Sequence, residues 1–168
     1  MAATPVVELK ARADAALANL TRQAEGLDRY LERSDAPGEW TAREVLSHLL
    51  GAAGWHAASF VRSFAINDLP VLDLDPGQHY MTDDRRRMAV RDFMAALEEQ
   101  HRSVFAYVES LPEADLERKA RIPVFKTFMG TDEITIPVYL GAMFDYHWND
   151  HAGQLAKIRK AVGLPSAR

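Results

Sequence analysis

Apolar residues at Val6, Leu9, Ala13, Ala16, Leu20, Ala24, Leu27 and Leu31 recur every three or four positions. That spacing collects them on one stripe of an α-helix and on neither face of a strand, so it predicts a first helix from Val6 to Arg33. A stripe of this length has to be covered by other elements, and the chain supplies more helices of the same kind. The segment SDAPGEW (34–40) stops the first with Pro37 and Gly38. The next opens at WTAREV, where Thr41 is placed to cap, Glu44 completes a capping box and Trp40 with Val45 supplies a hydrophobic staple. It is expected to run to about Ala65 across two glycines.

Residues 66–81, INDLPVLDLDPGQHYM, contain two prolines and a glycine and read as a long crossover loop. Thr82 followed by Asp83 and Asp84 then has the chemistry of a helix start, which predicts a third helix to about Ser110. A short helix is expected after Pro112. In IPVFKTFMGTDEITI (122–136) β-branched and aromatic residues alternate around a Gly-containing turn, as in a small hairpin or extended insertion. Helical spacing returns from Pro137 to Val162, with Gly163 and Pro165 as the stop. The expected fold is all-α: one domain over 1–168, a four-helix bundle with a long crossover loop and a small insertion before the last helix. Bundles of this kind build metal and ligand sites between facing helices.

Composition narrows the chemistry. The 168 residues are 48% hydrophobic and 26% charged with a formal charge of −4, and only Arg85–Arg86–Arg87 forms a basic run. Nucleic acid is therefore not an expected partner. Apolar runs are too short to span a membrane and the N-terminal segment has no apolar targeting core, so a cytoplasmic protein is expected. There is no cysteine, which leaves histidine and carboxylate as metal-binding side chains and requires any reacting thiol to come from outside.

In DYHWNDHAGQL (145–155), His147 and His151 stand four residues apart. On a helix their Cβ atoms lie about 5–6 Å apart on one face, close enough for both imidazoles to reach one ion. The same face carries Met143, Phe144, Gln154, Leu155 and Ile158 and should point inward. His48 lies among Val45, Leu46, Leu49 and Leu50 in the second helix and should also face the interior. A lone inward histidine is most simply a hydrogen-bonded core residue; three of them invite a shared ion. Gln154, one turn beyond His151, is the expected partner behind a ligand. Trp55, His56 and Phe144 are candidates for the substrate pocket, and His79 could fold over the site from the crossover loop. Asp145 and Asp150 read as helix-surface residues, His101 as solvated, and the arginine run as a solvated helix start. No catalytic acid or base stands out.

Together, WTAREVLSHLL (40–50) and DYHWNDHAGQL (145–155) resemble the DinB/YfiT superfamily of metal-dependent proteins. The resemblance implies a four-helix bundle whose divalent ion, zinc or nickel, is held by His48, His147 and His151. It further implies small-molecule chemistry of two kinds. One is transfer or isomerisation with a low-molecular-weight thiol such as mycothiol or bacillithiol, the favoured expectation for this chain; the other is hydrolysis by water. A non-catalytic metal or small-molecule binding protein is the alternative of a different class. Apolar stripes left over on the helices would suit a homodimer.

Overall fold

The computed structural model describes residues 5–52, 57–66 and 68–167. Helix α1 spans Pro5–Ala24, α2 Ala42–Leu50, α3 Ala57–Ile66 and α4 Val90–Glu109. Short helices α5 (Glu113–Leu116), α6 (Phe125–Met129) and α7 (Ile136–Gly141) follow, and a π turn at Ala142–Tyr146 joins α7 directly to α8, His147–Ala161. The bundle consists of α1, the α2–α3 pair, α4 and the α7–α8 run, with α1 lying along α8 and α4 against α1, α2 and α3. Ala13, Ala16 and Ala24 are almost fully buried and let α1 approach its neighbours closely, while Leu20, Phe64, Phe93, Phe105 and Trp148 fill the centre.

The first stripe is buried to its end, but helix α1 stops nine residues before Arg33. Gly26 adopts φ +80° and the chain turns into a 3-10 segment at Asp28–Tyr30 that still directs Leu27 and Leu31 inward. Buried Arg159 satisfies the carbonyls freed at this end, donating to those of Gln23 and Glu25, and to that of Pro165 at 2.9 Å.

Helix α2 begins as its sequence predicts. Thr41 Oγ1 accepts from the Glu44 amide at 3.2 Å and Glu44 Oε2 from the Thr41 amide at 2.8 Å, a complete capping box of the kind that contributes about 1 kcal/mol. It does not continue to Ala65. Gly51 takes φ +75°, its amide bonding to the His48 carbonyl, and ends the helix at Leu50.

The third long helix starts at Val90, eight residues after Thr82. Thr82 Oγ1 accepts from the Arg85 amide at 3.2 Å, but it starts only the 3-10 turn Arg85–Arg87. The α4 start is instead stabilised by Asp92, whose Oδ2 accepts from the Ala89 amide at 2.8 Å, and by Asp28, whose Oδ1 accepts from the Val90 amide at 3.0 Å.

The expected insertion is present as a small hairpin, with its first strand just upstream of residue 122. Strands β1 (Lys119–Arg121) and β2 (Glu133–Thr135) pair antiparallel with Ala120 opposite Ile134, and part of the stretch expected to be extended folds into α6 between them. Ile122, Phe125 and Ile134 anchor the unit in the core. Among the described residues no helix is long and apolar enough to cross a membrane.

Candidate metal centre

His48 lies on the buried face of α2, and His147 and His151 occupy the first two turns of α8, against which α2 packs. Their ring nitrogens meet. His147 Nε2 lies 2.9 Å from His48 Nε2 and 3.1 Å from His151 Nε2, and one nitrogen of each ring falls within 4.8 Å of the others. A tetrahedral zinc with Zn–N of about 2.0–2.1 Å has ligand nitrogens about 3.3 Å apart, close to the two short separations that His147 makes here.

The far sides of two rings are tied down. His48 Nδ1–H donates to the Gln78 carbonyl at 2.6 Å, and His151 Nδ1–H donates to Gln154 Oε1 at 2.9 Å. With the proton fixed on Nδ1, each Nε2 presents a lone pair toward His147, and the single N–H that His147 can place there cannot serve two acceptors well. His147 Nδ1 is buried with no partner among the described residues. A divalent cation at the convergence satisfies all three lone pairs, so the donor set fits a metal.

Burial keeps these rings neutral, the form that ligates. It pushes His147 down to about 3, with the neighbouring His151 and His48 adding to the effect. It also lowers His48 and His151, partly offset by the hydrogen bonds to Gln78 and Gln154 respectively.

Aromatic rings and a loop complete the surroundings. Trp40 packs 4.8 Å from His48, centroid to centroid, and lies nearly parallel to His151 at 6.3 Å. Tyr80 stacks on His48 at 6.3 Å from a residue with φ +52°, a left-handed conformation that costs a non-glycine residue about 1–2 kcal/mol. That loop is fastened from below by Arg85, whose Nη1 donates to the carbonyls of Ser47 (3.0 Å), Gly51 (2.6 Å) and Tyr80 (2.9 Å). Arg85 thus joins the end of α2 to the loop that covers His48. The expectation of a solvated arginine run fails at this residue, because the carbonyls left free at the end of α2 need a donor.

The three histidines line the inner part of an open cleft of about 1190 Å³, walled mainly by apolar side chains from α3, α6, α7 and the π turn, with Leu74, Pro76 and Tyr80 of the crossover loop opposite. Phe144 belongs to this wall but is 2% exposed and packs chiefly on Trp148 and Phe105. Trp55 and His56 lie outside the described residues. Asp150 is exposed at the cleft edge, whereas Asp145 faces Arg12 at 3.6 Å and accepts from Asn149. His79 stands over Trp40 with Nε2 3.6 Å from Glu44.

His101 corrects a further expectation. It is buried at 6% exposure, with Nε2 3.0 Å from Asp14 Oδ1, at ion-pair distance although outside hydrogen-bond alignment. The polar neighbours Gln100 and Arg102 suggested a solvated face; the position instead falls on the stripe of Leu97, Val104 and Phe105. Sequence reasoning also missed Trp40 as a neighbour of the site, having assigned it to the staple, along with Gln78 and Tyr80. Gln78 acts through its backbone carbonyl, which leaves no side-chain signal.

A family model of the DinB superfamily matches residues 6–155. Among solved structures the chain is similar to YfiT from Bacillus subtilis, described as a probable metal-dependent hydrolase with an unusual four-helix bundle topology. The superposition has a TM-score of 0.72 at 20% identity and covers 95% of this chain and 89% of that one. None of the curated proteins searched matches. The helix order, the convergence of one histidine from α2 with two from α8 and the match over most of the sequence agree: this chain belongs to the DinB superfamily.

Proposed function

We propose that the protein is a divalent-metal-dependent hydrolase acting on a small electrophilic substrate, with His48, His147 and His151 as the metal ligands. The observation that carries the reading is the convergence of three neutral imidazole nitrogens at the inner end of an open cleft, with two of the rings held by Gln78 and Gln154. Three protein ligands with open positions are the arrangement of a catalytic site, whereas structural sites are closed by a fourth. An all-imidazole set suits zinc or nickel. The description of YfiT as a probable metal-dependent hydrolase supports the same direction.

When bound, such an ion supplies Lewis acidity toward a carbonyl and lowers the pKa of a coordinated water. The protein's own part is positional. Gln78 and Gln154 keep the Nδ1 protons of His48 and His151 away from the ligand side, and Trp40 restricts their rings.

Elemental analysis of untagged protein, beside His48→Ala and His147→Ala, tests the foundation: about one divalent ion per chain is expected in the wild type and little in either variant. An activated ester turned over by the loaded protein without added thiol supports hydrolysis. The cysteine-free sequence favours a second reading, in which the reacting sulfur comes from a low-molecular-weight thiol such as mycothiol or bacillithiol. Turnover only when thiol is present selects that reading, and tight metal binding without turnover in either assay selects a binding protein.

A further inference from the structure

We propose that the substrate is an uncharged molecule with a bulky apolar body, held along the insertion and α7 while its one polar, metal-binding end meets the three histidines. The inference rests on the metal-dependent reading and adds the chemical class of the ligand. The insertion carries the argument. Phe125, Phe128 and Met129 are spaced i, i+3 and i+4 on α6 and line the same cleft as the histidines. Phe125 anchors the helix at 7% exposure, but Phe128 is 73% exposed and Met129 48%, and Val138 of α7, which lines the same cleft, is 39% exposed.

A helix held at both ends by a strand pair, with its apolar face turned to an open cleft, leaves a wall that an apolar ligand would cover. The volume of about 1190 Å³ exceeds what a small hydrophilic acid would fill and suits a larger ligand with few polar groups. Away from the histidines, the charge of the described lining disfavours an anionic body. Among the described residues, the acidic lining side chains are Glu8, Asp75 and Asp150, and the basic one besides the histidines is Arg12, already 3.6 Å from Asp145. Arg85, the nearby cation, is engaged with backbone carbonyls.

The test uses zinc-loaded protein and a series of straight-chain alkyl hydroxamates, which present a metal-binding head and a tail of adjustable length, titrated by calorimetry. Affinity is expected to rise by about two- to fourfold per methylene from two to eight carbons. The double variant Phe128→Ser, Met129→Ser, altered at exposed positions, is expected to lose about tenfold for the longest tail while binding acetohydroxamate as the wild type does. A terminal carboxylate on that tail should weaken binding by a similar factor. Hydroxamates that bind with no dependence on tail length, or equally well in the double variant, overturn the inference and leave the metal reading standing.

Absence of binding at every length overturns the metal reading instead. The apolar wall is then decided on metal-free protein with the neutral fluorophore N-phenyl-1-naphthylamine: weaker binding in the double variant supports it, and equal binding overturns it.

Discussion

The molecule buries histidine in two ways. His101 on α4 sits among Phe105, Phe144 and Trp148 with one nitrogen against Asp14, while His48, His147 and His151 turn their nitrogens toward one another. Both arrangements lower the imidazole pKa through burial, so burial alone does not separate them. The partners do. His101 faces a carboxylate that is half in solvent and can relax with it, whereas the cluster concentrates lone pairs that no donor among the described residues satisfies together. The first is compatible with a structural residue, the second with a cation.

Removing a member of the cluster should break this contrast most severely. His147→Ala is expected to weaken divalent-metal binding by on the order of a thousandfold, the loss of one of three strong ligands, as read by competition with a chromogenic chelator. Retention of wild-type affinity would sink the site.

Acid should act next most strongly. In metal-free protein the folded His147 does not take a proton until about pH 3, while the unfolded imidazole does so near 6.5. Below 6.5 the unfolded state therefore binds more protons, so stability is complete above that value and falls with pH at about 1.4 kcal/mol per unit for this group. Urea denaturation at pH 7, 6 and 5 would reveal the slope, and bound zinc should first resist the fall and then be lost as protons compete. A flat profile would contradict a buried neutral cluster.

Gln154→Leu is a finer probe. It leaves the three histidines in place but removes the acceptor of the His151 Nδ1 proton, and metal affinity should drop by about 10- to 100-fold. If affinity instead stays within twofold, Gln154 is merely a buried amide. The smallest effect is expected on the other side of the comparison: His101→Leu should change stability by no more than about 1 kcal/mol and leave metal content unaltered. A loss of metal there would mean that the two histidine environments are coupled through Phe144 and Trp148.

The helical architecture was legible because each long segment repeats apolar residues at helical spacing, and the His147–His151 pair because i, i+4 is itself a geometric statement. What escaped the sequence depends on distant partners. Thr82-Asp83-Asp84 has the composition of a helix start, but the α4 start is stabilised by Asp28 from far upstream and by Asp92 within the helix, while Arg85 is drawn to the carbonyls at the end of α2. Gly51 could be read as a tolerated helix glycine or as a terminator, and only the left-handed backbone decides. In the site, Gln154 could be found from its position on the helix face. The Gln78 carbonyl could not, since any residue supplies one. Trp40 had two uses available, and sequence spacing suggested the local one.

The π turn at Ala142–Tyr146 separates the wall of the cleft from the two histidines of α8. A π turn is a helix carrying one surplus residue, and a residue added to or removed from a helix rotates everything beyond it by about 100°. The phase of α7, which presents Val138 and Tyr139 to the cleft, is thereby decoupled from that of α8, which presents His147 and His151. Deleting one residue within the turn would restore regular winding and swing one set out of alignment with the other. The two halves of this last helical run work as separately indexed dials, so the cleft wall can be re-cut by a single insertion or deletion while the histidine spacing stays as it is.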